Sequence, residues 1–312
     1  MDIFLRSISG ILVILGMILV GFVIGEKGWF DDKSRGLIAK LVTQIALPCY
    51  MLYTITQRFT AADLLKMLPA LRFPALSMVV LLGIATAVAR IFAVRQDRRG
   101  LFVSMFFNSN TIFVGLPINQ ALFGDDSIPY VLIYYMCNTT FFWTLGSYLI
   151  QRDGEGEAQF DLKTSVKKVF SPPLMGFILG LVMVMLQIKL PAFLASDLQY
   201  LGNLTTPLSM IFIGLSVSHV GVKQLVLGKD QLLILIGRFL VAPLLMATIV
   251  YWAPLPSLMK QVFIIQSAMP VMTNAPVVAR LYGADSDYAA VMVTETTLAA
   301  MVVIPILMVL MA

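Results

Sequence analysis

Asn108-Ser109-Asn110-Thr111-Ile112-Phe113-Val114-Gly115-Leu116-Pro117 lies inside an apolar segment of membrane-spanning length. Hydrocarbon favours Leu and Val, yet this stretch carries two Asn, a Ser, a Thr, a Gly and a Pro. Lipid satisfies none of those polar groups, so they must face protein or a water-filled cavity. Pro117 lacks a backbone donor and crowds the preceding turn, so a helix is expected to break here. Thr273-Asn274-Ala275-Pro276 repeats the arrangement in a second apolar segment. A broken, polar helix at membrane depth is the usual pointer to a transporter binding site.

Composition sets the class. Of 312 residues, 59% are hydrophobic and 12% are charged, against about 25% charged in a soluble chain. The chain is therefore expected to be an all-α polytopic membrane protein with no separate soluble domain. Its net charge of +5 concerns loops and topology, not nucleic acid. Cys49 and Cys137 both fall in apolar segments and read as small buried hydrophobes, with no metal or disulfide spacing. The apolar run that follows Arg6 and extends to Ile24 is longer than a signal-peptide core and is read as an uncleaved first span.

At roughly 20 apolar residues per span, ten spans are expected: about 7–24, 36–56, 69–93, 101–122, 128–150, 172–189, 200–219, 231–252, 260–281 and 287–311. The polar stretch Gln151 to Ser171 is the longest hydrophilic segment. Ala61 to Leu68 reads as a short interfacial helix capped by Thr60, with Asp63 three residues on. Odd-numbered loops collect 16 Lys and Arg, against 6 in the N-terminus and even loops. Odd loops, the central one included, are thus expected in the cytoplasm, with both termini outside.

The chain repeats itself. Pro117 and Gly124 recur as Pro276 and Gly283, an offset of 159 residues. The same offset takes Pro48 to Pro207, Met51 to Met210 and Gly21 to Gly180. Each half then holds five spans, 1–150 and 172–312, joined by a linker at 151–171. An odd number of spans inverts the second half, and such folds place substrate at the repeat interface.

These residues resemble a known family. Asn110 to Pro117 is similar to the fourth-span motif of the auxin efflux carrier family, which includes plant PIN carriers and bacterial malonate and malate permeases. Pro276 with Tyr282-Gly283-Ala284-Asp285, and Lys40 eight residues before Pro48, resemble its other motifs. The resemblance implies that broken spans four and nine cross at Pro117 and Pro276. It implies a scaffold of spans 1, 2, 6 and 7, a transport domain of spans 3–5 and 8–10, and elevator-type movement. Homodimers are also in keeping with it.

Asn110 leads the expected substrate contacts, with Asn108, Ser109, Thr111, Thr273, Asn274 and Asn138; the alternative is that these side chains bond neighbouring helices. Gly115, Pro117 and Pro276 shape the crossover. Glu295, about eight residues into the tenth span, is the expected site of Na⁺ or H⁺ coupling, with Gln266 a weaker candidate; its alternative is a buried pair with Arg238. Arg238 and Lys40 either touch substrate or reach the cytoplasmic surface, and snorkelling is favoured for Arg238.

Half-helix N-termini carry roughly half a positive charge and attract carboxylates. The expected activity is secondary transport of small organic anions: mono- or dicarboxylates, or auxin-like aromatic acids. The expected setting is a plasma membrane, the bacterial inner membrane in a bacterial host. A passive channel or uncoupled uniporter is the competing reading. Catalysis is not expected, because one His and a lone membrane carboxylate supply no nucleophile–base pair, dyad or metal cluster. No cofactor is expected beyond a coupling ion.

Overall fold

The computed structural model describes residues 2–154, 169–220 and 228–311. Most of the central linker and the stretch 221–227 therefore lie outside the described residues. The fold is all-helical. Helix α1 is Asp2–Glu26. Helix α2 runs Asp32–Leu41, passes through a π-helical turn at Val42–Ala46, and continues as Leu47–Arg58. Helix α3 is Ala61–Ile91, α4 is Arg99–Phe107 and α5 is Gly115–Phe123. Helix α6 joins Ile128–Phe141 through a π turn, Phe142–Gly146, to Ser147–Asp153. Helix α7 is Pro172–Met185 and α8 is Ala192–His219. Helix α9 joins Lys229–Ile236 through a π turn, Gly237–Val241, to Ala242–Tyr251. Helices α10 (Ser257–Ser267), α11 (Ala275–Tyr282) and α12 (Ser286–Met311) complete the chain.

Among the described residues, 5 helices are long and apolar enough to cross a membrane, and Leu12–Glu26 and Pro172–Met185 are shorter apolar helices. The remaining expected spans have physical reasons for falling short. The fourth and ninth contain residues 108–114 and 268–274, which separate α4 from α5 and α10 from α11. The fifth is diluted by Tyr130, Tyr134, Tyr135, Asn138, Thr139 and Thr140. The expected short helix at Ala61 is the first part of α3, continuous with it through a 3₁₀ turn at Leu68–Leu71. Its predicted cap is present: Thr60 Oγ1 accepts from the Asp63 amide at 3.3 Å and Asp63 accepts from the Thr60 amide at 3.1 Å.

Two of the three π turns lie directly before a proline. Leu47 bonds back to Val42, and Ala242 to Gly237, one residue further than in an α-helix. Pro48 and Pro243 follow. A proline ring cannot share its turn with the carbonyl four residues earlier, and the widened turn supplies the room.

The chain forms two compact units. One comprises 15–69 and 167–219. Lipid gives helices no hydrophobic reason to associate, so close packing through small residues holds them. A Cβ on Gly21 would lie 2.3 Å from the Ile211 carbonyl, and one on Gly176 would lie 2.5 Å from that of Pro48. Leu47, Met51 and Ile55 are fully buried in this unit, Ile55 against Gly180.

The other unit comprises 1–14, 70–166 and 220–312. Phe102, Phe106, Phe107, Phe142, Ile234 and Met292 form its core. Gly237 fits under the Phe106 ring, where a Cβ would come within 2.3 Å. Asp153, at the end of α6, accepts amide protons from Gly100 at 2.9 Å and Leu101 at 2.6 Å, which caps the start of α4. Burial pushes the Asp153 carboxyl above its ordinary range, against the pull of those two amides.

Candidate functional site

Helix α4 stops at Phe107, and Asn108 is already extended. Residues 108–114 and 268–274 approach each other through an isolated antiparallel bridge between Ser109 and Val271. The Asn110 amide donates to Pro270 O at 2.8 Å, and the Gly115 amide to Asn110 O at 3.0 Å. Helix α5 then starts at Gly115 and α11 at Ala275, so Pro117 and Pro276 stand in first turns, where a missing amide costs little.

Non-helical backbone inside an apolar unit must be satisfied by side chains. Asn138 does this for Ser109. Its Oδ1 accepts from Ser109 N at 2.9 Å, and its Nδ2 donates to Ser109 O at 2.8 Å. On the other segment, Val271 N donates to Thr296 Oγ1 at 3.0 Å. Gln266 Nε2 donates to Thr111 O at 3.2 Å. Gly115 makes room for it, since a Cβ there would lie 2.3 Å from Gln266 Oε1. Asn119 Nδ2 donates to Gly115 O at 2.7 Å.

Arg238 departs most from expectation. It is fully buried, at 0% exposure, and does not snorkel. Its Nε donates to Met269 O at 3.0 Å, one terminal nitrogen to Phe106 O at 3.1 Å, and the other to Ser267 O at 2.5 Å and Met269 O at 2.9 Å. These carbonyls close α4 and α10, where helix dipoles place partial negative charge. Among the described residues no carboxylate pairs with Arg238, so the alternative of a buried Glu295–Arg238 pair is not what the chain adopts. Lys40, by contrast, is exposed.

The polar residues gather unevenly. Asn108, Ser109, Asn110 and Thr111 are buried together. Asn110 Oδ1 accepts from Phe113 N at 3.2 Å, while its Nδ2 is buried with no partner among the described residues. Asn108 Oδ1 and Gln266 Oε1 share that condition. Thr273 and Asn274 are half-buried, and the Asn274 side chain makes no cap bond to α11.

Glu295 is 7% exposed, and neither oxygen has a hydrogen-bond partner among the described residues. The threonines around it do not supply one. Thr294, Thr296 and Thr297 donate back to Ala290 O, Met292 O and Val293 O of their own helix at 3.1, 2.6 and 2.6 Å.

Apolar helices of membrane-crossing length, with buried polar side chains gathered where two helices are interrupted, define an integral membrane protein. The chain belongs to the family described as "Membrane transport protein", which matches residues 7–308 and is the auxin efflux carrier family of the sequence resemblance. Similar proteins include an uncharacterised transporter of Methanocaldococcus jannaschii, 27% identical over 299 residues that cover 94% of this chain and 95% of that one. An uncharacterised transporter of Methanothermobacter thermautotrophicus is 26% identical over 312 residues, covering 97% and 98% of the two chains.

Proposed function

We propose that the protein is a secondary transporter of small organic anions, with substrate held where the interruptions of spans four and nine cross. The carrying observation is Arg238, a guanidinium buried beside both interruptions with no carboxylate paired to it among the described residues. A buried cation is costly unless paired, and carbonyl dipoles offset its charge only in part. The surroundings therefore favour an incoming carboxylate. Asn110, whose amide bonds to Pro270 O next to the Met269 carbonyl held by Arg238, adds an Nδ2 donor with no partner among the described residues, and the N-terminal ends of α5 and α11 add positive potential.

An elevator-type motion and a ten-span inverted repeat complete the reading. They are supported by the repeat offset of 159 residues and by the site residues all belonging to one compact unit, 70–166 with 220–312. A carrier that moves its site as a body needs that grouping. In the proposed orientation both termini are outside and the central loop is cytoplasmic.

In proteoliposomes, Asn110→Ala is expected to reduce uptake of labelled mono- and dicarboxylates by about 10- to 100-fold, the worth of one hydrogen bond to a charged group. Its melting temperature should fall by no more than a few degrees, because the Asn110 side chain loses only the bond that Oδ1 accepts from Phe113 N, while Nδ2 has no partner among the described residues. Uptake at the wild-type rate would refute the site. Exchange stimulated by unlabelled substrate on the far side distinguishes a carrier from a channel.

Glu295 is the proposed coupling residue, since a buried carboxylate with no hydrogen-bond partner among the described residues needs a cation or a proton. Glu295→Gln is expected to flatten the dependence of uptake on pH or Na⁺, measured as initial rates across gradients of each. An unchanged dependence on both would remove Glu295 from coupling.

A further inference from the structure

A second cationic feature lies away from this site. Arg90 is in the last turn of α3, Arg99 opens α4 and Arg152 is in the last turn of α6. With Thr86 and Gln96 they line one cavity of about 220 Å³. Asp153 lines it too, but both its oxygens accept amide protons from the start of α4, at 2.9 and 2.6 Å. Three guanidiniums against one carboxylate leave a net of two positive charges. No ion pair joins Arg90, Arg99 or Arg152 to a carboxylate among the described residues. Arg99 donates from one terminal nitrogen to Val94 O at 3.2 Å, while its Nε is buried without a partner among the described residues.

The three arginines sit at helix ends, next to loops that the Lys and Arg count assigns to the cytoplasmic side, where a membrane-spanning chain meets lipid headgroups. The residues that follow Arg90 in sequence, Ile91 at 76% and Phe92 at 42% exposure, present apolar side chains at the same end of α3. Guanidinium forks match phosphate oxygens in pairs, and basic pockets between membrane helices suit anionic headgroups. We propose that this pocket binds a phosphate group, carried by an anionic phospholipid whose acyl chains lie along Ile91 and Phe92. Free phosphate shares the recognition chemistry and is separated from lipid by the test.

The full chain, purified in detergent and stripped of lipid, is titrated with phosphatidylglycerol, with phosphatidylcholine, and with inorganic phosphate. Native mass spectrometry counts bound lipid, and thermal unfolding reports stabilisation. Phosphatidylglycerol is expected to bind saturably and to raise the melting temperature by about 4 °C, while phosphatidylcholine does neither. Arg90→Gln with Arg152→Gln should weaken phosphatidylglycerol binding by about tenfold or more. Arg90→Lys with Arg152→Lys keeps the charge and should retain part of the affinity, which separates lost recognition from misfolding. Stabilisation by inorganic phosphate equal to that by phosphatidylglycerol would support the phosphate site and overturn the lipid as its source. Equal binding of both lipids, or of phosphatidylglycerol by wild type and the glutamine variant, would overturn the proposal.

Discussion

Arg238→Met should be the most damaging single substitution in the site. It removes four hydrogen bonds to the carbonyls of Phe106, Ser267 and Met269. Met fills much of the volume but donates nothing. Each buried carbonyl left unpaired costs about 1–3 kcal/mol. Removing a desolvated cation returns part of that, so a net loss of about 3 kcal/mol is expected. In detergent this corresponds to a fall in melting temperature of roughly 5 °C, with transport abolished. Arg238→Lys keeps the charge but replaces a planar five-donor fork with a point donor. It should therefore fold better than Arg238→Met and still transport at least about tenfold more slowly. A methionine variant that melts with the wild type would show that the clamp carries no stability. A methionine variant that also transports would remove the positive charge from the account of anion selectivity.

Asn138→Ala comes second. The Asn138 amide reads both backbone atoms of Ser109, as a neighbouring strand would. Its loss orphans one donor and one acceptor in a buried place, at a cost of about 2–4 kcal/mol for the pair. The extended geometry at Ser109 should loosen, and Asn110 beside it should lose its aim. Asn138→Asp is the informative companion. It still accepts from Ser109 N, but sets a carboxylate against Ser109 O. Transport should fall in both variants, with the aspartate variant no better than alanine. Equal melting temperatures for wild type and Asn138→Ala would refute this positioning role.

Asn138 also illustrates how far the chain could be read without coordinates. Its polarity inside an apolar span marked it as a candidate for substrate contact. The structure instead commits its whole amide to the backbone of Ser109, 29 positions away. Nothing in local sequence names a partner that distant. Gln266 behaves alike: its Nε2 serves Thr111 O, and Gly115 is the residue that admits it. Helical class and membrane setting, by contrast, were legible, because they rest on the quantity and spacing of apolar residues. Family membership was legible from the residues around Pro117 and Pro276.

Arg238 marks the boundary. Its position in an apolar run announced an unusual cation, but distance from the helix end suggested a side chain reaching for the surface. Position along its own helix does not reveal that the carbonyls ending α4 and α10 come within reach of its guanidinium. Composition and periodicity were enough for the helices, their membrane environment and the polar interruptions, since each depends on short stretches of chain. The burial of Arg238, its grip on the ends of α4 and α10, and the isolation of Glu295 came only with folding. They depend on carbonyls and side chains far apart in sequence, which become neighbours when the helices pack.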